Sequence, residues 1–396
     1  MSVMFDLQAY QLRITLEATE LIALDRYAGS SLRGALYEAL LRRFCMNQQA
    51  SSCADCPLNA TCPVAGLVAP LRDERPRGRD IPRPFVLAAE PEIPELSELI
   101  APPASSADPA EDQSSAAATR PPQPTLPEVR IQAGQSFAFE ITLFGQAERY
   151  FPYVALSLMT LATLGIGRPV SENQGRRGRP RLARIEAVQP FTNQRETLYT
   201  AGEQTARKPS LVITPALITA RAATLPTDRL TVRFTTPMRL VAEKRVLRHP
   251  AFRPLALRLA ERLEALEQEY GQEYGQEYGQ EYGQEYGLFA LGLSRQDGDG
   301  EALRAFHRER YLHIAHLAEA VTVARDATEW VEVNSHSRRQ SRSIPIGGFI
   351  GEAVLTGDIA PLRELLAWGE VTHAGKNAVK GDGRFHLSPA PCASSQ

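Results

Sequence analysis

Hydrophobic and polar residues follow the same succession of patterns in the two halves of the chain. The first half opens with an alternating run at residues 10–16, which is typical of a strand with one buried face. A strand-like run follows at residues 137–144, apolar residues at helical spacing occupy 154–161, and another strand-like run occupies 181–188. These segments predict two strands, a helix and a final strand.

The second half repeats this succession. Strand-like runs cover residues 230–234 and 349–355, apolar residues at helical spacing follow at 362–366, and the strand-like segment 385–387 comes last. A ferredoxin-like fold consists, in order, of a strand, a helix, further strand, a second helix, here a glycine-rich loop, and a last strand. We therefore expect an α+β protein with two tandem ferredoxin-like (RRM-like) domains.

The same patterns predict the domain boundaries. We expect the N-terminal domain to occupy residues 1–190 and the C-terminal domain to occupy 229–387, with a connector at 191–228 between them. The last residues, 388–396, carry no apolar pattern and predict a flexible tail.

Two segments have compositions that do not support a packed core. Residues 91–127 are rich in Pro, Ala, Ser and acidic residues and predict a disordered insert. Residues 268–287 are five copies of Gln-Glu-Tyr-Gly, in which a glycine at every fourth position costs a helix about 1 kcal/mol each time. Because residues 254–267 have helical spacing, we interpret the array as a duplicated helix end. Stacking of its tyrosines on nucleic-acid bases is the alternative.

Charge and composition give no global nucleic-acid signal, since the formal net charge is −2 and 43% of the residues are hydrophobic. Lysine occurs at only four positions, so arginine carries most of the positive charge, and its planar fork of donors suits phosphate. The start of the chain lacks a basic region followed by an apolar core. We expect a cytoplasmic protein with no membrane association.

A glycine-rich loop with basic residues precedes the last strand of each half. Glycine lets the backbone approach a phosphate closely, and basic side chains add charge. One such loop is a solvated turn in most proteins, whereas two at equivalent places of a duplicated fold favour a nucleic-acid surface. The basic residues are Arg176, Arg177 and Arg179 in the first half and Lys376, Lys380 and Arg384 in the second.

The end of the chain carries an ordered set of motifs. Asn334-Ser-His-Ser-Arg-Arg is followed by Ile344-Pro-Ile-Gly-Gly-Phe, and a helix leads into Gly375-Lys-Asn-Ala-Val-Lys-Gly-Asp-Gly-Arg and a last strand. Residues 335–387 thereby resemble the closing motif of the CRISPR repeat-processing endoribonucleases of the RAMP superfamily. A weaker match covers the first helix, Gly29-Ser-Ser-Leu-Arg-Gly-Ala-Leu, and the cysteines after it.

The resemblance implies an endoribonuclease that cuts CRISPR repeat RNA in precursor transcripts to give mature crRNA. Attack by the RNA 2′-hydroxyl, without a catalytic cofactor, would leave a 2′,3′-cyclic phosphate and a 5′-hydroxyl. Repeat RNA, crRNA and other Cas proteins of an effector complex are the implied partners. A non-catalytic RAMP subunit that binds RNA within such a complex is the alternative.

Candidate catalytic residues follow from the proton transfers that this reaction needs. Histidine suits them because its pKa lies near neutrality. Several family members place a catalytic histidine near the first helix, but this chain has none before His249 and offers Tyr37 and Arg33 there. His373, beside the second loop, and His336 are the candidates, each with a structural or phosphate-binding role as the alternative. The adjoining phosphate-binding candidates are Arg338, Arg339 and Arg342.

Four cysteines with the spacing C-x7-C-x2-C-x5-C form a cluster at residues 45–62. In a cytoplasmic protein, this clustering favours metal over disulfides. Four thiolates suit a structural zinc, with an iron–sulfur cluster as the second choice and unliganded thiols as the remaining alternative. The candidate ligands of this small cysteine-rich segment are Cys45, Cys53, Cys56 and Cys62.

Overall fold

A computed structural model describes residues 5–70, 81–92, 128–271, 300–337 and 342–390 of the chain. Most of the predicted insert, most of the Gln-Glu-Tyr-Gly array, the end of the tail, and Arg338 and Arg339 lie outside these ranges. Among the helices of the described residues, none is long and apolar enough to cross a membrane.

The first half is built on a five-stranded antiparallel sheet with the strand order β3-β5-β1-β8-β9. A smaller four-stranded sheet, β4-β2-β6-β7, lies beside it. The strands are β1 (Ala9–Ala18), β2 (Ile22–Asp25), β3 (Phe85–Glu92), β4 (Glu128–Ile131), β5 (Ser136–Phe144), β6 (Ile166–Val170), β7 (Arg176–Gly178), β8 (Pro180–Gln189) and β9 (Gln194–Thr200). The helices are α1 (Gly29–Phe44), α2 (Pro63–Val68) and α3 (Phe151–Leu164).

The second half is built on a four-stranded antiparallel sheet with the order β13-β16-β10-β17. Two short hairpins, β11-β12 and β14-β15, lie outside this sheet. The strands are β10 (Arg229–Met238), β11 (Val241–Ala242), β12 (Arg245–Val246), β13 (Val321–Val331), β14 (Asn334–Ser337), β15 (Arg342–Pro345), β16 (Gly348–Gly357) and β17 (Phe385–Pro389). The helices are α4 (Pro215–Ala223), α5 (Phe252–Tyr270), α6 (Gly300–Leu317) and α7 (Arg363–Thr372).

Both sheets have the ferredoxin-like strand order. Numbered by their place in the βαββαβ unit, the four strands lie in the order second, third, first and fourth in each half. The alternation of β1 explains how its sheet is covered: Leu12, Ile14 and Leu16 are fully buried in one core with α1 and α3. The predicted duplication of a ferredoxin-like domain is therefore confirmed, together with the antiparallel sheets.

Several boundaries differ from the expected ones. The segment expected to connect the domains supplies β9 to the first sheet and α4, which packs against α7. The final strand continues into the predicted tail, where Ser388 and Pro389 pair with Thr231 and Leu230 of β10. The first residues of the predicted insert belong to β3. In these places the strands pair beyond the last apolar residue of the pattern. Boundaries predicted from hydrophobicity alone therefore fall too early.

Some residues of the first half are buried in the apolar core of the second half. Phe5, Leu7 and Phe144 belong to the first half, yet they are buried in the same cluster as the residues of α5 and α7. Tyr270, at the end of α5, donates a hydrogen bond from its hydroxyl to the carbonyl oxygen of Pro82 at 2.6 Å. The domains are therefore packed together, and the surfaces where they meet are fixed.

Candidate functional site

Hydrogen bonds from backbone N–H groups hold the glycine-rich loop of the second half against residues 236–239. The amide of Lys376 donates to the carbonyl oxygen of Arg239 at 3.0 Å, and the amide of Gly383 donates to that of Pro237 at 3.1 Å. The amide of Arg384 donates to Thr236 Oγ1 at 2.8 Å. These N–H groups are not free to bind phosphate, although the glycines suggested that the loop backbone could approach one closely. The loop can offer RNA its side chains.

The loop packs directly on the first turn of α1. A Cβ atom on Gly29 would lie 1.6 Å from the carbonyl oxygen of Lys380, so only glycine fits there. Ser30 Oγ lies 2.6 Å from Ser335 Oγ, on β14 of the second half. Lys380 Nζ donates to the same Ser335 hydroxyl at 3.5 Å. We call the meeting place of Ser30, Arg33, Ser335 and Lys380 the domain junction.

Positive charge accumulates at the domain junction. Burial, and secondly the charge of Arg83, lowers the pKa of Arg33 to about 10. Burial also lowers the pKa of Lys380, and the charges of Arg33 and Arg83 add to this, while Asp382 opposes it. Nε of Arg33 is buried and has no hydrogen-bond partner among the described residues. A cationic group that is both crowded and incompletely bonded is suited to an anion such as phosphate.

Tyr37 lies one turn beyond Arg33 on α1, and its hydroxyl contacts the cysteine cluster. The hydroxyl oxygen is 3.8 Å from Sγ of Cys53. Burial, followed by the charge of Cys53, raises the pKa of Tyr37 to about 12. The structure therefore places this candidate catalytic residue at the cysteine cluster, one helical turn from Arg33 of the junction.

His373 is enclosed in the second domain. It follows the last residue of α7 with a φ of 57°, and only 3% of its surface is exposed. Burial, followed by the charges of Arg384 and Arg262, lowers its pKa well below the usual value. Its Nδ1 is buried and has no hydrogen-bond partner among the described residues. Burial therefore favours the neutral form of His373, which lies behind the loop with little exposure to solvent.

His336 lies on a strand that reaches the domain junction. It follows Ser335 on β14 and pairs with Ser343 of β15. Arg342 begins β15 on the other side of the hairpin. The hairpin thus brings the motif around His336 to α1 and Lys380, which are far from it in sequence.

His386 is a further histidine that the sequence did not single out. It lies on β17, between the buried Phe385 and Leu387, and its side chain reaches solvent. Its register partner on β10 is Arg233. Partial desolvation by the surrounding protein, followed by the charges of Arg384 and Arg233, lowers its pKa to about 4. The alternation of the last strand was the signal that could have placed His386 on the open face of the sheet.

The candidate phosphate-binding side chains of the second loop have different environments. Lys376 is exposed. Arg384 is 16% exposed and binds Glu140 of β5, which is 11% exposed, at 3.0 Å. Glu140 also accepts a 2.8 Å hydrogen bond from Gln11 and lies 3.8 Å from Arg13. Arg384 therefore links the two domains, while Lys376 remains available to RNA.

The first glycine-rich loop folds as a β-hairpin, in which β6 pairs with β7. Its arginines lie near carboxylates: Arg176 and Arg179 are 3.6 and 3.9 Å from Glu20, and Arg177 is 3.6 Å from Glu38. Surface pairs of this kind contribute roughly 0–1 kcal/mol and exchange readily with other anions. The arginines of this hairpin therefore carry positive charge that nearby carboxylates partly neutralise.

The four clustered cysteines line one cavity of about 490 Å³, which Tyr37 also lines. All four are free thiols. Burial raises the pKa of Cys53, and the other three cysteines contribute to the same shift. Within the described part of the chain, no three histidine, cysteine or acidic side chains are placed so that they could hold a metal ion. The expected closed metal site is therefore not confirmed by this arrangement.

Each half of the chain matches a known protein-family model. Residues 232–385 match the model of the CRISPR-associated endoribonuclease Cas6, and residues 7–211 match the N-terminal domain model AF_1859_N. Among solved structures, Thermus thermophilus Cas6 is 15% identical with a TM-score of 0.43, covering 96% of this chain and 99% of that one. A partial Cas6-RT-Cas1–Cas2 complex is 10% identical with a TM-score of 0.47, covering 98% and 47%. No curated protein has a matching sequence.

Proposed function

The chain belongs to the RAMP-type CRISPR-associated endoribonucleases, with an AF_1859_N N-terminal domain and a Cas6 domain, and we propose that it cuts repeat RNA at the domain junction. The observation that carries this proposal is the position of Lys380 and Arg33. Both cations lie where the glycine-rich loop, the first turn of α1 and β14 meet. Each has a lowered pKa because it is desolvated among other cations.

The domain junction supplies what cleavage of an RNA phosphodiester needs. Attack by the 2′-oxygen on phosphorus forms a cyclic phosphate while the bond to the 5′-oxygen breaks, and negative charge develops on the phosphoryl oxygens. Lys380 and Arg33 would stabilise this charge, and the first turn of α1 adds the positive end of its helix dipole. The proton leaves the 2′-hydroxyl and a proton arrives at the 5′-oxygen, so no cofactor takes part in the proposed reaction.

His336 is the proposed proton-transfer residue. It adjoins Ser335 at the domain junction, whereas His373 is buried behind the loop and Tyr37 contacts the cysteine cavity. We assign His373 a positioning role in the loop and Tyr37 a role at the cysteines. Exposed basic residues around the junction would bind the rest of the repeat. Repeat RNA and mature crRNA are the proposed ligands, and other Cas proteins the proposed partners.

Cleavage of a repeat RNA under single-turnover conditions tests the proposal. The wild-type protein should cut in the presence of EDTA, unless the chelator strips metal from the cysteine cluster and unfolds the protein. A substrate with a 2′-deoxy nucleotide at the scissile position should resist cutting. Lys380→Ala and Arg33→Ala should each slow cleavage by roughly 10²–10³-fold. The matched control is Lys244→Ala, because Lys244 is an exposed lysine of the same domain that is not part of the loop.

His336→Ala separates chemistry from binding. Loss of a general acid or base should slow cleavage by roughly 10²–10⁴-fold while the dissociation constant for RNA changes little. Normal cleavage by both Lys380→Ala and His336→Ala would refute the domain junction as the active site. A wild-type protein that binds repeat RNA tightly and never cuts it would support the non-catalytic RNA-binding alternative.

A further inference from the structure

The segment from Cys45 to Cys62 has no buried side chain, although it follows a well-packed helix. Met46 is 89% exposed and Leu58 is 45% exposed, so the apolar residues of the segment do not form a core. Its internal contacts are short-range hydrogen bonds, such as that from Asn59 Nδ2 to the carbonyl oxygen of Cys53 at 2.7 Å. A loop with so little buried apolar surface needs another source of stability.

The cysteines are the side chains of this segment that converge. All four are partly buried and line the same cavity. They come from three separate places in the fold. Cys45 follows the end of α1, Cys53 and Cys56 lie in the turns between the helices, and Cys62 precedes α2. None is joined to another by a disulfide.

We propose that Cys45, Cys53, Cys56 and Cys62 bind one structural zinc ion. Four thiolates complete a closed tetrahedral zinc site, and a Cys-x2-Cys pair is a common chelating unit of such sites. Binding replaces the four thiol protons with the ion and draws the sulfur atoms inward from the cavity wall. The net charge of the site becomes −2, so hydrogen-bond donors should surround the sulfur atoms.

Two such donors are already in place. Asn47 Nδ2 lies 3.7 Å from Sγ of Cys56, and the Tyr37 hydroxyl lies 3.8 Å from Sγ of Cys53. Groups that donate to ligand atoms orient the ligands and stabilise their charged form. The proximity of Tyr37 to Cys53 is explained by this role.

The ion would fix the end of α1 to the start of α2. Because α1 also carries Arg33, the zinc site would help to position Arg33 at the domain junction through the helix. Arg33 and Cys45 are roughly 18 Å apart along α1, at 1.5 Å per residue. This last step rests on the proposed function, while the presence of zinc does not. Zinc is therefore a positioning element in this scheme and takes no part in the chemistry.

Elemental analysis of the full-length protein tests the proposal directly. Protein purified under reducing conditions without chelators should hold about one zinc per chain. Serine at any of the four positions should abolish stoichiometric zinc, while the matched control Cys392→Ser should keep it, since Cys392 is outside the cluster in sequence. Addition of cobalt to zinc-free protein should give the visible absorption of a tetrahedral thiolate site.

Alkylation of the wild-type protein provides a test that needs no variant to fold. With zinc bound, the four clustered cysteines should react slowly with a thiol reagent, and a strong chelator should speed their reaction. Reduced protein that contains neither zinc nor protected thiols would refute the proposal. Iron with acid-labile sulfide would refute zinc and establish an iron–sulfur cluster instead. Neither readout depends on RNA cleavage, so a failure here is distinct from a failure of the proposed active site.

Discussion

At the scale of single residues, burial divides basic side chains of one loop into two groups. Lys376 is exposed, whereas Arg384 is bonded to Glu140 of the other domain. Lys376→Ala should therefore weaken RNA binding and reduce its salt dependence by about 0.7 to 0.9 of a log unit per log of salt, as expected for one lost phosphate contact. Stability should change by less than about 0.5 kcal/mol. Titration of RNA at several salt concentrations measures the slope.

Arg384→Met should behave in the opposite way. Removing the guanidinium leaves the buried Glu140 with Arg13 and Gln11 as its described partners, so the free energy of unfolding should fall by about 3 kcal/mol. The salt dependence of RNA binding by the folded variant should match the wild type. A double-mutant cycle with Glu140→Gln should recover most of the loss. A reduced salt slope with unchanged stability would instead make Arg384 a phosphate contact.

His373 should make stability depend on pH. Its folded pKa is lowered and the unfolded value is about 6.5, so between the two values the unfolded chain binds more protons. Its stabilising contribution is complete above pH 6.5 and is lost as the pH falls. Between pH 7.5 and 5.5 this loss should be about 1.4 kcal/mol. His373→Asn, which tolerates the positive φ, should therefore show a smaller loss over that range in urea unfolding.

The matched control for this effect is His316→Asn. The His316 side chain is 83% exposed, so this variant replaces a surface histidine of the same domain and leaves the buried His373 in place. If the wild type and His373→Asn had identical pH profiles, protonation of His373 would not lower the free energy of unfolding. The neutral, buried state assigned to it would then be incorrect.

At the scale of elements, the contact between α1 and the second glycine-rich loop can be tested with two glycines of one helix. Gly29 touches the backbone of Lys380, whereas a Cβ on Gly34 would have no atom within 4 Å. Gly34→Ala should raise the free energy of unfolding by about 0.5–1 kcal/mol, because alanine favours the helix. Gly29→Ala should lower it and slow cleavage, since the helix and loop must separate. Equal behaviour of the two variants would refute a functional contact there.

Elements formed by local hydrophobic patterns could be predicted from the sequence, whereas contacts between residues far apart in the chain could not. The strands and helices of both ferredoxin-like units follow from local alternation and helical spacing, as at β1 and α7. The same alternation in β17 placed His386 on the open face, but no local signal distinguished it from the other histidines. The pairing of Arg384 with Glu140 joins residues 244 positions apart, so it could not be predicted from either motif. The glycine that permits close packing between α1 and the loop is Gly29 of the helix, whereas Gly375 and Gly383 of the loop approach the backbone of Arg239 and Ala374.

At the scale of the whole molecule, a buried ion pair fixes the two helices that flank the Gln-Glu-Tyr-Gly array. Arg310 of α6 and Glu267 of α5 are each 1% exposed and lie 2.7 Å apart. The Arg310 guanidinium also lies 4.1 Å from the centre of the Phe5 ring, and the amide of Asp6 donates to Glu267 at 2.6 Å. The start of the chain, α5 and α6 therefore meet at one point, independently of the residues between the helices.

Deletion of residues 272–287, which leaves one copy of the repeat, should consequently be tolerated. From the contact of Glu267 with Arg310, the facing helix ends are at most about 30 Å apart, given the rise per residue and the distance between packed helices. The twelve residues that remain, 288–299, can span about 40 Å. Shortening a loop by this amount should change the free energy of unfolding by less than about 1 kcal/mol.

The contrasting variant is Arg310→Leu, which keeps the array and leaves the buried Glu267 carboxylate without its guanidinium. Its free energy of unfolding should fall by roughly 3–5 kcal/mol, because removal of one partner of a buried pair leaves an uncompensated charge. Chemical denaturation of both variants, with RNA binding measured beside it, decides between the two interpretations of the array. If the deletion variant is as stable as the wild type but binds repeat RNA much more weakly, the array tyrosines stack on bases. If stability and affinity are both retained, the array is a tolerated expansion between two helices that are already anchored.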